Sequence, residues 1–385
     1  MKAVAAQIVT ALSSNLYTPL LRITAGATVI RERHILRYKV VEDGRLGKAD
    51  LRLTIDNTSG AYTSLLSLLP NSPLVSEEGA RVKAIEYFAI RHKWLVLTVT
   101  PTGLQNQSDT IEIRARNNWH KFSTQMHERQ DWTDISIGQI VREMAGLVGI
   151  DVGLDAYPFW QHTIDFLEVL VFNLMQRQLS GLIGDYRSTQ ARAYGRFEPD
   201  GRWILKGIAE DDDSDVTIGA IGKPAAASSA IGYHQTASWV QVSRADTELF
   251  LAQFVPPLLE QFGLRRTYVN AEGLPDSVAL QHRLDQEIIE QKELNRRGEV
   301  EVRPDLRLQL WDTVALTAVP GIDNGTKFRV YKIVVEYKQS RLTMKLGLRQ
   351  VAGQGSRLNG QASIEPFYPP ESTLPGGETY SWSEP

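Results

Sequence analysis

The chain of 385 residues is long enough for two or three units that each bury a core, and its 42% hydrophobic and 23% charged residues exclude both wholesale disorder and a membrane-embedded chain. A formal net charge of −3 argues against a broad basic surface for phosphates, and so against tight sequence-specific nucleic-acid binding. The lack of cysteine excludes disulfides, thiolate metal sites and cysteine nucleophiles, and fits assembly in a reducing cytoplasm.

The opening MKAVAAQIVTALSSNLYTPLL has one lysine and an interrupted apolar run, short of the roughly 7–15-residue apolar core of a secretory signal, so no export is expected. From about 20 to 115 the apolar residues recur with period two, as on one face of a strand. Leu51, Leu53 and Ile55 alternate with Arg52 and Thr54, and Ile111, Ile113 and Ala115 with Glu112 and Arg114. Between them lie the turn-rich Asn57-Thr58-Ser59-Gly60-Ala61-Tyr62 and a strand-like run from Trp94 to Thr100. This predicts an antiparallel β unit.

Near Asp131 the period changes. Asp134 and Ser136 are available as N-caps, and Ile137, Ile140, Val141, Met144, Ala145 and Val148 recur at helical spacing up to Gly149. A second, sandwiched helix is predicted from about Thr163 to Gly184; its most apolar part, Phe166 to Met175, falls short of the ~20 residues that cross a bilayer. Strands Arg192–Phe197 and Arg202–Ile208 flank Glu198-Pro199-Asp200-Gly201, where Asp-Gly signals a hairpin. Residues 211–230 read as an acidic turn followed by a small-residue linker. Ser277 to Arg297 reads as a docked helix, with Leu280, Leu284 and Ile288 on one stripe and Glu293 placed to pair with Arg297.

From 299 to 351 the alternation is clearest. Leu342, Met344, Leu346 and Leu348 share one face, and Arg341, Thr343, Lys345 and Arg349 the other, after a turn at Lys338-Gln339-Ser340. This predicts a β-meander with one wet face. Beyond Val351 the segment is rich in Gly, Ser, Asn, Pro and Glu and buries too little apolar surface for a core.

Chemical motifs are few. Seven histidines form neither HExxH nor a short metal pair. Asp211, Asp213 and Asp215 imitate the start of a calcium loop, but Val216 and Gly222 stand where the turn glycine and the bidentate glutamate belong, leaving a solvated acidic turn. No nucleotide fingerprint or P-loop is present. Among 45 acidic residues a glycosidase-like carboxylate pair arises by chance, and the scattered tryptophans read as core or interface anchors before a sugar-stacking surface.

The order of β unit, α+β insertion, linker, helix and β-meander resembles the hub proteins of phage tails and contractile injection systems. DLRLTIDNTSGAYTSL (50–65), DTIEIRARNNWHKF (109–122) with DWTDISIGQIVREMAGLVGIDV (131–152), and VEVRPDLRLQLWDTVALTAV (300–319) with KFRVYKIVVEYKQSRLTMKLGLR (327–349) carry the resemblance, which covers about residues 20 to 351. A departure is Trp311-Asp312, where many hubs carry Gly-Asp; a bulky residue there changes the turn or fills a gap between subunits.

The fold class expected is α+β and β-rich, with two tube-like antiparallel β-barrel or half-barrel domains and an α+β insertion between them. The divisions are 1–115, the first hub domain; 116–228, the insertion; 229–351, the second hub domain with its docked helix; and 352–385, an extended C-terminal tail. The resemblance implies a non-enzymatic homotrimeric ring at the tail tip, without cofactor or metal, that joins a six-fold tail tube to a three-fold spike. The ring passes DNA and the tape-measure protein through a lumen expected to be acidic or neutral. Its partners would be the tail tube, central spike or tip, tape-measure and other baseplate proteins, with no membrane-spanning segment, in a virion tail assembled in the host cytoplasm. Tyr62, Trp119 and Trp311 are the candidate subunit-packing anchors, set against the simpler reading that each lies in its own domain core. The alternatives are a six-fold distal-tail adaptor ring, a glycan-binding tail or receptor-binding module, and a glycosidase.

Overall fold

The computed structural model describes residues 18–43, 46–82, 84–103, 109–124, 130–156, 158–161, 163–169, 193–207, 213–219, 226–244, 250–271, 277–338 and 341–351. The first strands are β1 (Thr18–Ala25), β2 (Thr28–Arg31), β3 (Ile35–Asp43), β4 (Ala49–Asp56), β5 (Pro73–Val82), β6 (Ile85–Thr102) and β7 (Thr110–Arg116). The middle holds α1 (Trp119–Thr124), β8 (Gln130–Ser136), α2 (Ile137–Leu147), β9 (Val152–Leu154), β10 (Thr163–Val169), β11 (Ala193–Phe197), β12 (Trp203–Gly207) and β13 (Val216–Ile218). Then come β14 (Ala226–Tyr233), β15 (Trp239–Ser243), β16 (Phe250–Phe254), α3 (Pro256–Phe262), β17 (Arg266–Asn270) and α4 (Ser277–Asn295). The last are β18 (Arg296–Val302), β19 (Thr313–Leu316), β20 (Thr326–Lys338) and β21 (Arg341–Gln350).

One 13-stranded sheet runs β14-β18-β21-β20-β3-β4-β7-β6-β5-β1-β2, with β19 also paired to β20 and β13 to β19. The first and last β units therefore belong to a single sheet, joined where β3 lies antiparallel to β20 with Tyr38 opposite Tyr337. Period-two alternation dictates which side is dry. Leu51, Leu53 and Ile55 of β4, Val40 of β3, Val335 of β20 and Met344 of β21 are all buried in one hydrophobic core. At the join β20 carries a bulge between Val330 and Lys332, before which it pairs with β19 and after which it pairs with β3. A bulge adds twist and redirects a strand, which lets one long strand serve both neighbours.

A second core holds α1, α2, α4, β11, β12 and the three-stranded sheet β16-β15-β17. Ser136 caps α2 as its sequence predicts, its Oγ accepting from the Gln139 N–H at 3.3 Å. Trp203 sits at its aromatic centre, edge-on to Trp119 with ring centroids 5.9 Å apart and 5.3 Å from Phe122.

Three expectations are corrected. Residues 163–169 are not helical: they form β10, antiparallel to β8 with Ile164 opposite Ile135, while 170–184 lie outside the described residues. A short apolar run has no decisive period, and backbone pairing with β8 settles it. Much of the expected linker is strand, because β13 pairs with β19 and β14 with β18. Gly298 of β18 pairs with Ile231 of β14, and an added Cβ there would sit 2.0 Å from the Ala230 carbonyl oxygen, so glycine permits the approach. Finally, α4 ends at Asn295 and Arg297 belongs to β18, so the expected pair of Glu293 with Arg297 is not an i,i+4 contact within one helix; Glu293 accepts from buried Arg329 of β20 at 2.9 Å.

Candidate functional site

Two features are built for something other than simple burial: an ionic joint beneath the sheet and a charged face above it. The joint gathers β3, β6, the β11–β12 hairpin and the segment 305–312. Arg91 of β6 ion-pairs with Glu42 of β3, both nearly fully buried, and donates to the Leu308 carbonyl at 3.1 Å. His92 Nε2 lies 3.1 Å from the same Glu42 oxygen, and its ring rests edge-on against Trp94. Burial pushes the Glu42 carboxyl up, but Arg91 and His92 together outweigh it and bring it down to about 2. A carboxylate held so low is a fixed counter-ion and cannot trade protons at neutral pH.

On the hairpin side, Arg196 donates to Glu198 at 3.0 Å and to Asp312 at 2.8 Å, and Gln309 Nε2 donates to Glu198 at 3.0 Å. Trp311 packs on Tyr194 with ring centroids 3.8 Å apart and donates its indole N–H to the Gly195 carbonyl at 3.0 Å. Its φ is +69°, the left-handed conformation in which glycine is at ease, so the tryptophan stands where a glycine would carry no backbone strain. The bulky residue fills space between the 305–312 segment and the hairpin of the same chain. Asp312 is buried, which raises its carboxyl pKa, with Arg196 opposing.

The other anchors are also enclosed. Tyr62 is 7% exposed, ends the Asn57 turn through its N–H to Asn57 Oδ1 at 2.8 Å, and sits edge-on to His34. Trp119 is 4% exposed and belongs to the second core, and Trp311 is 3% exposed in the first. The structure does not bring the three together. Within the acidic turn, Asp213 is exposed and Asp215 accepts from the Thr313 N–H at 2.9 Å; no group of three acidic or histidine side chains among the described residues is placed to hold a metal.

The rows of charge on the wet face follow only from cross-strand register. Glu336, Lys39, Arg52 and Arg114 stand in one row across β20, β3, β4 and β7. The next row brings Arg341, Lys338 and Arg37 side by side across β21, β20 and β3, with Thr54 and Glu112 beyond them. Arg37 pairs with Glu336 at 2.9 Å and Arg114 with Glu112 at 2.9 Å. Lys39 and Arg52 face each other with no carboxylate in ion-pair range among the described residues, and like charges directly opposite destabilise a sheet. Replacing Arg52 by Thr is therefore expected to leave the isolated chain as stable or more stable, by about 0.2–1 kcal/mol. Urea unfolding of the two proteins checks this; a clear loss of stability would mean that Arg52 has a partner in its own chain. Sequence reasoning found the alternation but not this row, because strand neighbours are set by topology.

No family matches the sequence and no curated protein matches it. Solved structures match the fold. A tail protein from Neisseria meningitidis superposes with a TM-score of 0.63 at 12% identity, over 87% of this chain and 98% of that one. The 43 kDa tail protein of prophage MuSo2 from Shewanella oneidensis gives 0.57 at 11% identity, over 86% and 98%. A type VI secretion system component from E. coli, described as structurally similar to the T4 bacteriophage tail proteins gp27 and gp5, gives 0.50 at 8% identity, over 85% and 76%. The chain has the β-rich fold of phage tail proteins, built on a large antiparallel sheet, and its likeness in structure falls in the class that its sequence resembles.

Proposed function

We propose that this chain is a non-enzymatic structural protein of a phage-type tail, acting as a homotrimeric ring at the tail tip between a six-fold tube and a three-fold spike. The observation that carries the proposal is the single sheet through both β units. It makes each chain one stiff block with two β units side by side, so three chains supply six units to a six-fold neighbour. The fold-level likeness to tail proteins over nearly their whole length supports the setting. The cationic wet face suits an acidic neighbour, such as another tail component, better than a channel wall, because a basic wall would retain the phosphates of passing DNA. The lumen would then be lined by other surfaces, and tube, spike and tape-measure proteins would be the partners. Light scattering and class averages of negatively stained particles test this with the purified chain and with tube and spike partners added. A three-membered ring with a central opening is expected. A six-membered ring would replace the proposal with a distal-tail adaptor, and a chain that stays monomeric with both partners present would overturn it.

A further inference from the structure

We infer that an arginine-lined pocket beside the small sheet β16-β15-β17 receives the chain's own C-terminal segment, residues 352–385. The pocket has a volume of about 360 Å³ and is open to solvent. Arg265, Arg266 and Arg297 line it together with Gln291 and Leu294 of α4. All three arginines are exposed, and none has a carboxylate in ion-pair range among the described residues. Arg266 instead lies over the Trp239 ring, 5.5 Å from its centroid, and Trp239 meets Tyr268 edge to face at 5.5 Å. Tyr268 is 64% exposed. Guanidinium groups without a carboxylate partner among the described residues, beside open aromatic rings, suit a ligand that carries both carboxylates and aromatic groups.

The segment that follows Val351 has that chemistry. It contains four glutamates, Glu365, Glu371, Glu378 and Glu384, against a single arginine, Arg357, and the glutamates flank Phe367, Tyr368, Tyr380 and Trp382. It also starts in the right place. Arg297 of β18 is the direct cross-strand partner of Arg349 of β21, so Val351, after which the segment begins, lies only two residues past a partner of the pocket's own edge. Adjacent strands lie about 4.8 Å apart, so the first residues of the segment need no long excursion to reach the guanidinium groups. An intramolecular ligand starting so close has a high effective concentration, so individually weak charge pairs suffice. This inference does not rest on the ring assignment and holds for a chain in any oligomeric state.

The chain has no cysteine, so Ser381→Cys gives one site for a nitroxide label between Tyr380 and Trp382. In the full-length protein at low salt, the spin-label spectrum is expected to contain an immobilised component. The triple variant Arg265→Gln, Arg266→Gln, Arg297→Gln should lower the ratio of immobilised to free label about tenfold or more, the equivalent of ~1.4 kcal/mol of docking. The variant Glu371→Gln, Glu378→Gln, Glu384→Gln changes none of the described residues and should do the same, as should about 1 M salt, where charges are screened within about 3 Å. A label that is free in the unmodified chain, or immobilised but indifferent to both variants, would overturn the inference. So would a label on the triple arginine variant that becomes immobilised when unlabelled, unmodified chain is added, because that would place the segment on a neighbour.

Discussion

Replacing Arg91 by Ala is expected to destabilise the chain by about 3–5 kcal/mol, because it strands Glu42 as a buried carboxylate with only His92 beside it. It also leaves the Leu308 carbonyl without its guanidinium donor, which loosens the segment that carries Trp311. Replacing both partners, Glu42→Leu with Arg91→Met, should cost far less than either single change, since no charge is then left unpaired. Guanidinium unfolding of the three proteins checks the order; a single Arg91 variant no weaker than the double would mean that water reaches the joint. The joint also sets an acid response. The Glu42 carboxyl falls from 4.5 to about 2 on folding, so its contribution is fully present above pH 4.5 and is lost as the pH drops towards 2. Asp312 works in the opposite sense, because burial raises its carboxyl pKa and protonation favours the fold. Glu42→Gln should therefore flatten the acid limb of stability against pH.

The second large effect is at Trp311. Truncation to Ala should cost about 3–5 kcal/mol, the range for a buried large aromatic residue. Glycine at the same position removes as much packing but relieves the left-handed backbone, whose cost for other residues is about 1–2 kcal/mol. Trp311→Gly is thus expected to be more stable than Trp311→Ala by about 1 kcal/mol, although the residue is smaller. Thermal melts of the pair decide it. Equal stabilities, or a better Ala variant, would mean that the turn relaxes out of the left-handed region once the indole is gone.

Much of the fold was legible wherever one physical signal acted alone. The alternation in β4, β7 and β21 and the Ser136 cap are local, and their local pattern was enough. Legibility failed where a distant partner decided the outcome. Residues 163–169 and 226–233 became strands because β8 and β18 offered unpaired edges, not through any period of their own. The same holds for the site. Trp311 stood out in sequence as the wrong residue at a glycine turn, whereas Glu42, Arg91 and Arg196 carried no signal, since a buried pair 49 residues apart has no spacing to read. The row Lys39–Arg52–Arg114 needed the register of three strands before its charges became neighbours.

The pairing of β3 with β20 has a consequence for synthesis. Val40 waits for Val335, which is made nearly three hundred residues later, so the sheet closes only when most of the chain exists. Until then β3 has one bare edge, with unpaired amide groups that invite pairing with another nascent chain. Contacts of such long range make folding slow, since the loop between them must be closed before they form. The charged wet face then has a second use: Arg37 and Lys39 lie on that waiting edge strand, where charge discourages a second copy from adding a strand of its own.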